Sequence, residues 1–122
     1  MKKILLVEDD PFLIDIYATK LRESNYSVEV ASEGEEALRK VKENNFDLVL
    51  LDIVLPKVDG WDILRQIKSE SKIKNLKVII ISNLGQKEEV AKGIKLGAEK
   101  YLIKAHFTPS EVVSEIKGVL GE

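Results

Sequence analysis

The sequence predicts an α/β protein built on a parallel sheet with helices on both faces. Short runs of consecutive apolar residues, which are typical of strands buried on both faces, recur along the 122-residue chain. Between these runs the apolar residues adopt helical spacing, and strand and helix patterns alternate five times. This alternation favours a parallel sheet, because parallel neighbours need a crossover connection, which is usually a helix.

Five segments are predicted as strands. Four of them are almost entirely apolar, as expected where helices cover both faces of a sheet. The second is shorter and more polar, which favours an edge position. The predicted strands are Ile4–Val7, Val28–Ala31, Leu48–Leu51, Val78–Ile81 and Tyr101–Ile103.

The first three helices are predicted from start signals and apolar spacing. The first follows Pro11 and keeps helical spacing of apolar residues as far as Leu21. Residues 32–35, with the sequence Ser-Glu-Gly-Glu, fit a capping box that opens the second helix. The third follows a loop bracketed by Pro56 and Gly60.

The last two helices have clearer boundaries. The fourth runs from about Lys87 and stops at Gly97, because glycine commonly terminates helices. The fifth begins with Thr108 as the cap, Pro109 in the first turn and Glu111 as the capping-box acid. We find no repeat, low-complexity tract or linker, so we expect a single domain over residues 1–122.

The composition excludes several kinds of site. The formal net charge is -2, without the basic excess that nucleic-acid binding favours. The chain has no cysteine, which excludes disulfides and cysteine-ligated zinc, and its only histidine, His106, excludes a multi-histidine metal site. No apolar run approaches the roughly 20 residues of a membrane helix or forms a signal peptide. We therefore expect a cytoplasmic protein without a direct nucleic-acid or membrane partner.

Polar side chains follow four of the predicted strands. Glu8 and Asp9 follow the first strand, Asp52 the third, Ser82 the fourth and Lys104 the fifth. Because the carboxyl ends of parallel strands meet at one edge of a sheet, we expect these groups to converge. Taken singly, an acid here can cap a helix, a serine can belong to a turn and a lysine can be solvated. Their shared position at one end of successive strands favours a common chemical role.

This set of groups predicts a magnesium site beside an aspartate nucleophile. Clustered carboxylates repel one another, and a divalent cation removes that conflict. Oxygen ligands without histidine or cysteine favour Mg²⁺. Asp52 can attack phosphorus to give an acyl phosphate, while Lys104 neutralises charge and Ser82 donates a hydrogen bond to a phosphoryl oxygen.

The chain resembles the receiver domain of bacterial two-component response regulators, in particular the stand-alone, chemotaxis-regulator-like type. The similarity covers essentially the whole chain and is carried by residues 4–10, 47–52, 55–60, 80–82 and 96–104. It implies a flavodoxin-like three-layer sandwich, whose five-stranded parallel sheet has the order 2-1-3-4-5 and carries five helices. It also implies a phosphoacceptor switch in a phosphorelay rather than an enzyme.

The resemblance implies a role for each acidic residue. Asp52 would accept a phosphoryl group from a histidine kinase or a histidine phosphotransfer protein. Asp9 and Asp52 would bind Mg²⁺ directly, and Glu8 would act mainly through water. The backbone carbonyl of Val54 would be a further ligand.

The resemblance also implies a switch. Lys104 would pair with the phosphoryl group, and the backbones of Val54 and Asn83 would contact it. Ser82 would move to hydrogen-bond the phosphoryl group, and Tyr101 would turn inward behind it. From the residues alone, Tyr101 is equally a strand residue with a half-buried ring.

The residue after Lys104 departs from the family pattern, because Ala105 stands where proline is usual. A cis bond before alanine costs roughly 3–4 kcal/mol, so we expect a trans Lys104–Ala105 bond or a strained, more mobile loop, either of which could re-aim Lys104. Two alternatives therefore stay open. One is a phosphorylation-independent interaction module with the same fold. The other is an enzyme acting on a small phosphorylated substrate, which would favour an acid where Val54 stands.

The resemblance implies two contact surfaces. The phosphodonor would dock beside the first helix and the loop after the fifth strand, where Phe12, Ile14 and Phe107 are apolar candidates. The face formed by the fourth helix, fifth strand and fifth helix would contact a downstream protein target or a second copy.

Overall fold

A computed structural model describes all of residues 1–122. Five parallel strands form one sheet in the order β2-β1-β3-β4-β5, which confirms the predicted fold class and strand order. The strands are β1 (Lys3–Val7), β2 (Ser27–Ala31), β3 (Leu48–Asp52), β4 (Lys77–Ser82) and β5 (Lys100–Ile103). The helices are α1 (Pro11–Glu23), α2 (Gly34–Glu43), α3 (Gly60–Ser69), α4 (Lys87–Lys95) and α5 (Pro109–Leu120).

The two faces of the sheet form two separate apolar cores. Alternate residues of each strand point to opposite faces, so Ile4 belongs to one core and Leu5 to the other. Helices α1 and α5 cover the first face, and α2 and α3 cover the second. Strands β1, β3 and β4 are therefore buried on both faces, which explains their continuous apolar sequences.

Most predicted helix boundaries are confirmed. The Thr108 hydroxyl accepts from the Glu111 N–H at 3.2 Å, and the Glu111 carboxylate accepts from the Thr108 N–H at 2.9 Å. Gly97, just after α4, has a φ of 109°, a left-handed conformation that favours glycine. Asp10 caps α1 by accepting from the Phe12 N–H at 2.9 Å.

The predicted capping box at the start of α2 is wrong. The cap residue is Glu33, which makes no side-chain cap bond, and the Ser32 N–H instead donates to the Glu36 carboxylate at 2.9 Å. Tertiary packing sets this boundary, because a Cβ on Gly34 would lie 2.5 Å from the Val58 carbonyl oxygen. The close approach of the loop at Val58 fixes where the helix begins.

No helix in the structure has both the length and the apolar character needed to cross a membrane.

Candidate functional site

Three strands deliver charged side chains to one point beyond the carboxyl edge of the sheet. Asp52 is the last residue of β3 and is buried, while Glu8, also buried, and the exposed Asp9 follow β1. One carboxylate oxygen from each of these residues lies within 4.8 Å of the other two. Lys104 reaches the same point from the end of β5.

Lys104 bridges the two buried carboxylates. Its Nζ donates to Glu8 Oε1 at 2.8 Å and to Asp52 Oδ2 at 2.9 Å. Burial lowers the pKa of Lys104, but its hydrogen bonds to Glu8 and Asp52 outweigh burial and raise that pKa above its ordinary value. Burial raises the pKa of Glu8, and the Asp52 charge adds to this, although the Lys104 hydrogen bond opposes it. One ammonium group therefore bonds two of the three carboxyl groups in the cluster.

The loop after β3 fixes the Asp52 carboxylate. Its Oδ1 accepts from the Val54 N–H at 3.1 Å, while Oδ2 is held by Lys104. The chain then folds back, so that the Gly60 N–H donates to the Ile53 carbonyl at 2.8 Å. A Cβ on Gly60 would lie 2.5 Å from the Ile53 Cα, so only glycine allows this return. The turn at Gly60 thus holds the peptide that orients Asp52.

The carboxylates line an open cleft of about 450 Å³. The side chain of Val54 stands at its rim and is 59% exposed, and Asn83 lines another part of it. A second, more apolar pocket of about 330 Å³ lies alongside, between α1 and the loop after β5, and shares Asn83 and Lys104 with the cleft. A phosphorylated group can therefore reach Asp52 from solvent.

The side chains of Ser82 and Tyr101 form hydrogen bonds with the two backbone groups of one residue, Leu84. Ser82 is fully buried, and its Oγ accepts from the Leu84 N–H at 3.1 Å. The Tyr101 hydroxyl donates to the Leu84 carbonyl oxygen. Burial raises the pKa of the half-buried Tyr101, while the neighbouring Ser82 hydroxyl lowers it. Sequence reasoning missed this role of the Leu84 backbone, because an apolar side chain gives no signal of the hydrogen bonds that its peptide groups make.

Most of the chain matches a known family. Residues 4–117 match the family model of the response regulator receiver domain. The chain belongs to this family. Receiver domains act as signalling switches rather than as enzymes with a turnover substrate, and they bind Mg²⁺ at an acidic pocket. Response regulators interact with histidine kinases.

Relatives and a solved structure agree with this assignment. The receiver domain is 38% identical over 105 residues to the gliding motility regulatory protein of Myxococcus xanthus, covering 86% of this chain and 14% of that protein. It is 34% identical over 119 residues to the alkaline phosphatase synthesis transcriptional regulatory protein PhoP of Bacillus subtilis, covering 98% of this chain and 48% of that protein. The chain thus spans less than half the length of both relatives.

Among solved structures, the receiver domain of response regulator 1452 from Francisella superposes with a TM-score of 0.92 at 30% identity. The match covers 99% of this chain and 98% of that one.

The departure at Ala105 does not displace Lys104 in this receiver domain. The chain contains no cis peptide bond, and a short 3₁₀ turn over Lys104–His106 follows β5. Lys104 nevertheless bonds both Glu8 and Asp52. The trans bond expected from the sequence is present, and it does not re-aim Lys104 away from Asp52.

The three apolar candidates for partner contact differ in exposure. Phe12 is 71% exposed. Ile14 and Phe107 are half-buried and pack against the core on the α1 and α5 face. Phe107 also lines the apolar pocket beside the acidic cleft.

Proposed function

We propose that residues 1–122 form one receiver domain that acts as the phosphoacceptor switch of a phosphorelay, with Asp52 as the acceptor. The observation that carries this proposal is the Asp52 carboxylate, buried at an acidic cleft and held by Lys104 at 2.9 Å. An aspartate with a cationic partner and an open approach can receive a phosphoryl group. Family membership over residues 4–117 supports the same function.

In the proposed transfer, an Asp52 carboxylate oxygen attacks phosphorus in a phosphohistidine donor. The new P–O bond forms as the P–N bond breaks, and the electron pair returns to the imidazole nitrogen, which takes up a proton. Lys104, already at Asp52 Oδ2, balances the charge that collects on the phosphoryl oxygens. The backbone N–H of Asn83, at the cleft wall, is our candidate for a further phosphoryl contact.

The acidic cluster fits a hard divalent cation, because its donors are all oxygens and three carboxyl groups exceed one ammonium group in charge. We propose that Asp9 and Asp52 hold Mg²⁺ directly and Glu8 mainly through water. The backbone carbonyl of Val54 is the further ligand in this proposal. When bound, Mg²⁺ supplies charge neutralisation for the phosphoryl oxygens.

The switch acts through Leu84 in this proposal. The Ser82 oxygen accepts from the Leu84 N–H, so its own proton is free to be donated to a phosphoryl oxygen. Any shift of Ser82 moves the Leu84 peptide, and the Leu84 carbonyl is the acceptor of the Tyr101 hydroxyl. Phosphorylation therefore shifts the population of Tyr101 positions rather than creating a new state.

The test is the intact mass of the protein after incubation with Mg²⁺ and acetyl phosphate. We expect one added phosphoryl group on the wild type and none on Asp52→Asn. Asp59→Asn, which replaces an exposed carboxylate at the α3 cap, is the matched control and keeps the uptake. Uptake by Asp52→Asn, or none by the wild type, would contradict the proposal.

The partner surfaces belong to the same proposal. A histidine kinase or phosphotransfer protein docks where the exposed Phe12 adjoins the apolar pocket that contains Phe107. A downstream protein or a second copy contacts the face made by α4, β5 and α5. The net charge of -2 argues against direct contact with nucleic acid. We continue to expect a cytoplasmic location.

If a phosphodonor protein docks at Phe12, a substitution there should affect transfer from that protein but not uptake from a small-molecule donor. We expect Phe12→Ala to slow transfer from a phosphohistidine protein, because an exposed aromatic anchor is lost. Uptake from acetyl phosphate, which needs no docking, stays unchanged. Ile94→Ala, which removes an exposed aliphatic group from α4, is the control. Equal slowing with both donors would refute this docking surface.

A further inference from the structure

Helix α4 meets the sheet through a glycine. Gly93 is the only buried residue of this helix. A Cβ built on it would lie 2.7 Å from Ile80 Cδ1 and 2.9 Å from Tyr101 Cδ2. Real Cβ atoms are essentially never so close to other heavy atoms, so any side chain at position 93 would force the helix or the ring to move. The distance between α4 and the sheet therefore depends on the position of the Tyr101 ring, and the ring position depends on that distance.

The ring of Tyr101 is held on more than one side. Besides Gly93, it faces Trp61 with a centroid separation of 6.5 Å, and its hydroxyl donates to the Leu84 carbonyl. Lys92, the residue before Gly93, places its Nζ 4.4 Å from the centroid of the Trp61 ring. The ring position is thus tied to α4 both directly and through Trp61.

Glu89 lies one turn before Gly93 on the same face of α4. Its Oε2 is the only buried side-chain nitrogen or oxygen in the structure that lacks a hydrogen-bond partner. Burial raises the pKa of the Tyr101 hydroxyl, and the Glu89 charge adds to that rise. Burying a carboxylate oxygen without a partner is unfavourable, and because Glu89 shares the helix face of Gly93, which packs on the sheet, we expect this cost to fall when α4 moves away from the sheet.

We propose that Gly93 and Glu89 have opposite effects on the packing of α4 over the Tyr101 ring, and that together they set the relative populations of the two Tyr101 positions. Gly93 lets the helix close over the Tyr101 ring, and Glu89 makes this packed arrangement costly. The two terms leave the packed and unpacked positions close in free energy, so a modest bias can shift their populations. The use of Tyr101 as a switch and the source of that bias, a phosphoryl group on Asp52, rest on the proposed function.

Two substitutions should shift the populations of the packed and unpacked positions in opposite directions. Gly93→Ala obstructs the packed arrangement, and Glu89→Gln removes the buried charge and favours it. Gly118→Ala is the matched control for the first, because Gly118 is a helical glycine of α5 with nothing within 4 Å of its Cβ position. Glu88→Gln controls the second, because Glu88 is its exposed neighbour on α4.

The readout is the fluorine NMR signal of Tyr101 in protein labelled with fluorotyrosine. The chain has 3 tyrosines, and Tyr101→Phe identifies the signal. We expect Gly93→Ala and Glu89→Gln to displace the unphosphorylated Tyr101 signal in opposite directions from wild type. Glu89→Gln should move it toward the position seen after treatment with acetyl phosphate and Mg²⁺. The two controls should leave it in place.

Phosphorylation gives the second part of the test. We expect the phosphorylation-dependent displacement of the Tyr101 signal in Gly93→Ala to fall to less than about half of the wild-type value. Phosphoryl uptake by intact mass should stay within about twofold of wild type, because position 93 does not contact Asp52. An unchanged displacement in Gly93→Ala would overturn the proposal.

Other outcomes are also decisive. Displacement of both variants in the same direction, or no displacement beyond the controls, would overturn the proposal. If Gly93→Ala does not fold, Glu89→Gln decides alone against Glu88→Gln. If the wild type takes up no phosphoryl group, the proposed function fails, but the opposite displacements in the unphosphorylated variants still test the balance.

Discussion

Helices α4 and α5 pack on opposite faces of the sheet beside its edge strand β5, yet they are held very differently. Helix α5 buries four apolar residues, Val112, Val113, Ile116 and Leu120, whereas α4 buries only Gly93. Because burial of apolar surface is the main source of stability, α5 is a fixed part of the fold and α4 a weakly held one. The weakly held helix is the one that covers the Tyr101 ring.

The helix ends differ in the same way. Helix α5 begins with a complete capping box, and its last carbonyls accept hydrogen bonds from Lys2 at 3.1 Å and Lys77 at 3.0 Å. The cap residue of α4, Gln86, makes no side-chain bond to the helix. A rigid fold can therefore contain a responsive element when one helix lacks both apolar anchors and a side-chain cap at its N-terminus.

Truncating one isoleucine on each helix should give the largest difference in stability between α4 and α5. Ile116 is fully buried in α5, so Ile116→Ala should lower the free energy of unfolding by about 2–5 kcal/mol. Ile94 of α4 is 47% exposed, so Ile94→Ala should cost less than about 1 kcal/mol. Urea denaturation measures both. Similar losses for the two variants would remove the distinction between the helices.

Cap substitutions should give a smaller difference. Thr108→Ala removes the α5 capping box and should lower the free energy of unfolding by about 1 kcal/mol. Gln86→Ala removes no cap bond from α4 and should change it by less than about 0.5 kcal/mol. If Gln86→Ala costs as much as Thr108→Ala in urea denaturation, α4 has a cap that the account lacks.

The contact between Lys92 and Trp61 should have the smallest energetic effect. Lys92 is exposed, so Lys92→Ala should lower the free energy of unfolding by only about 0.5 kcal/mol. Trp61 is the only tryptophan, so its fluorescence should change in this variant as the cation leaves the ring. Lys95→Ala on the same helix is the control. Identical spectra for both variants would show that Lys92 does not hold α4 to α3.

The fold was predictable because its signals are local. Strands β1, β3 and β4 are buried on both faces, so their apolar runs identify them without reference to other parts of the chain. The α5 capping box depends only on residues 108–111. The failed prediction at residues 32–35 had the same kind of signal, but contact of Gly34 with Val58, distant in sequence, decided the boundary.

The convergence of Glu8, Asp9, Asp52 and Lys104 was predictable, because parallel strands bring their carboxyl ends together. The features around Tyr101 were not. The Leu84 backbone, the close approach at Gly93 and the unpartnered Glu89 oxygen depend on how α4 rests on the sheet. A glycine or glutamate within a helix gives no sequence signal of such contacts.

Amide hydrogen exchange over residues 87–95 and 109–120, before and after treatment with acetyl phosphate and Mg²⁺, tests the contrast between α4 and α5 most directly. In the untreated protein, α4 should exchange much faster than α5. Once intact mass shows a phosphoryl group, protection of α4 should rise while protection of α5 stays unchanged. An equal or larger change in α5, or no change in α4 of the phosphorylated protein, would contradict the account.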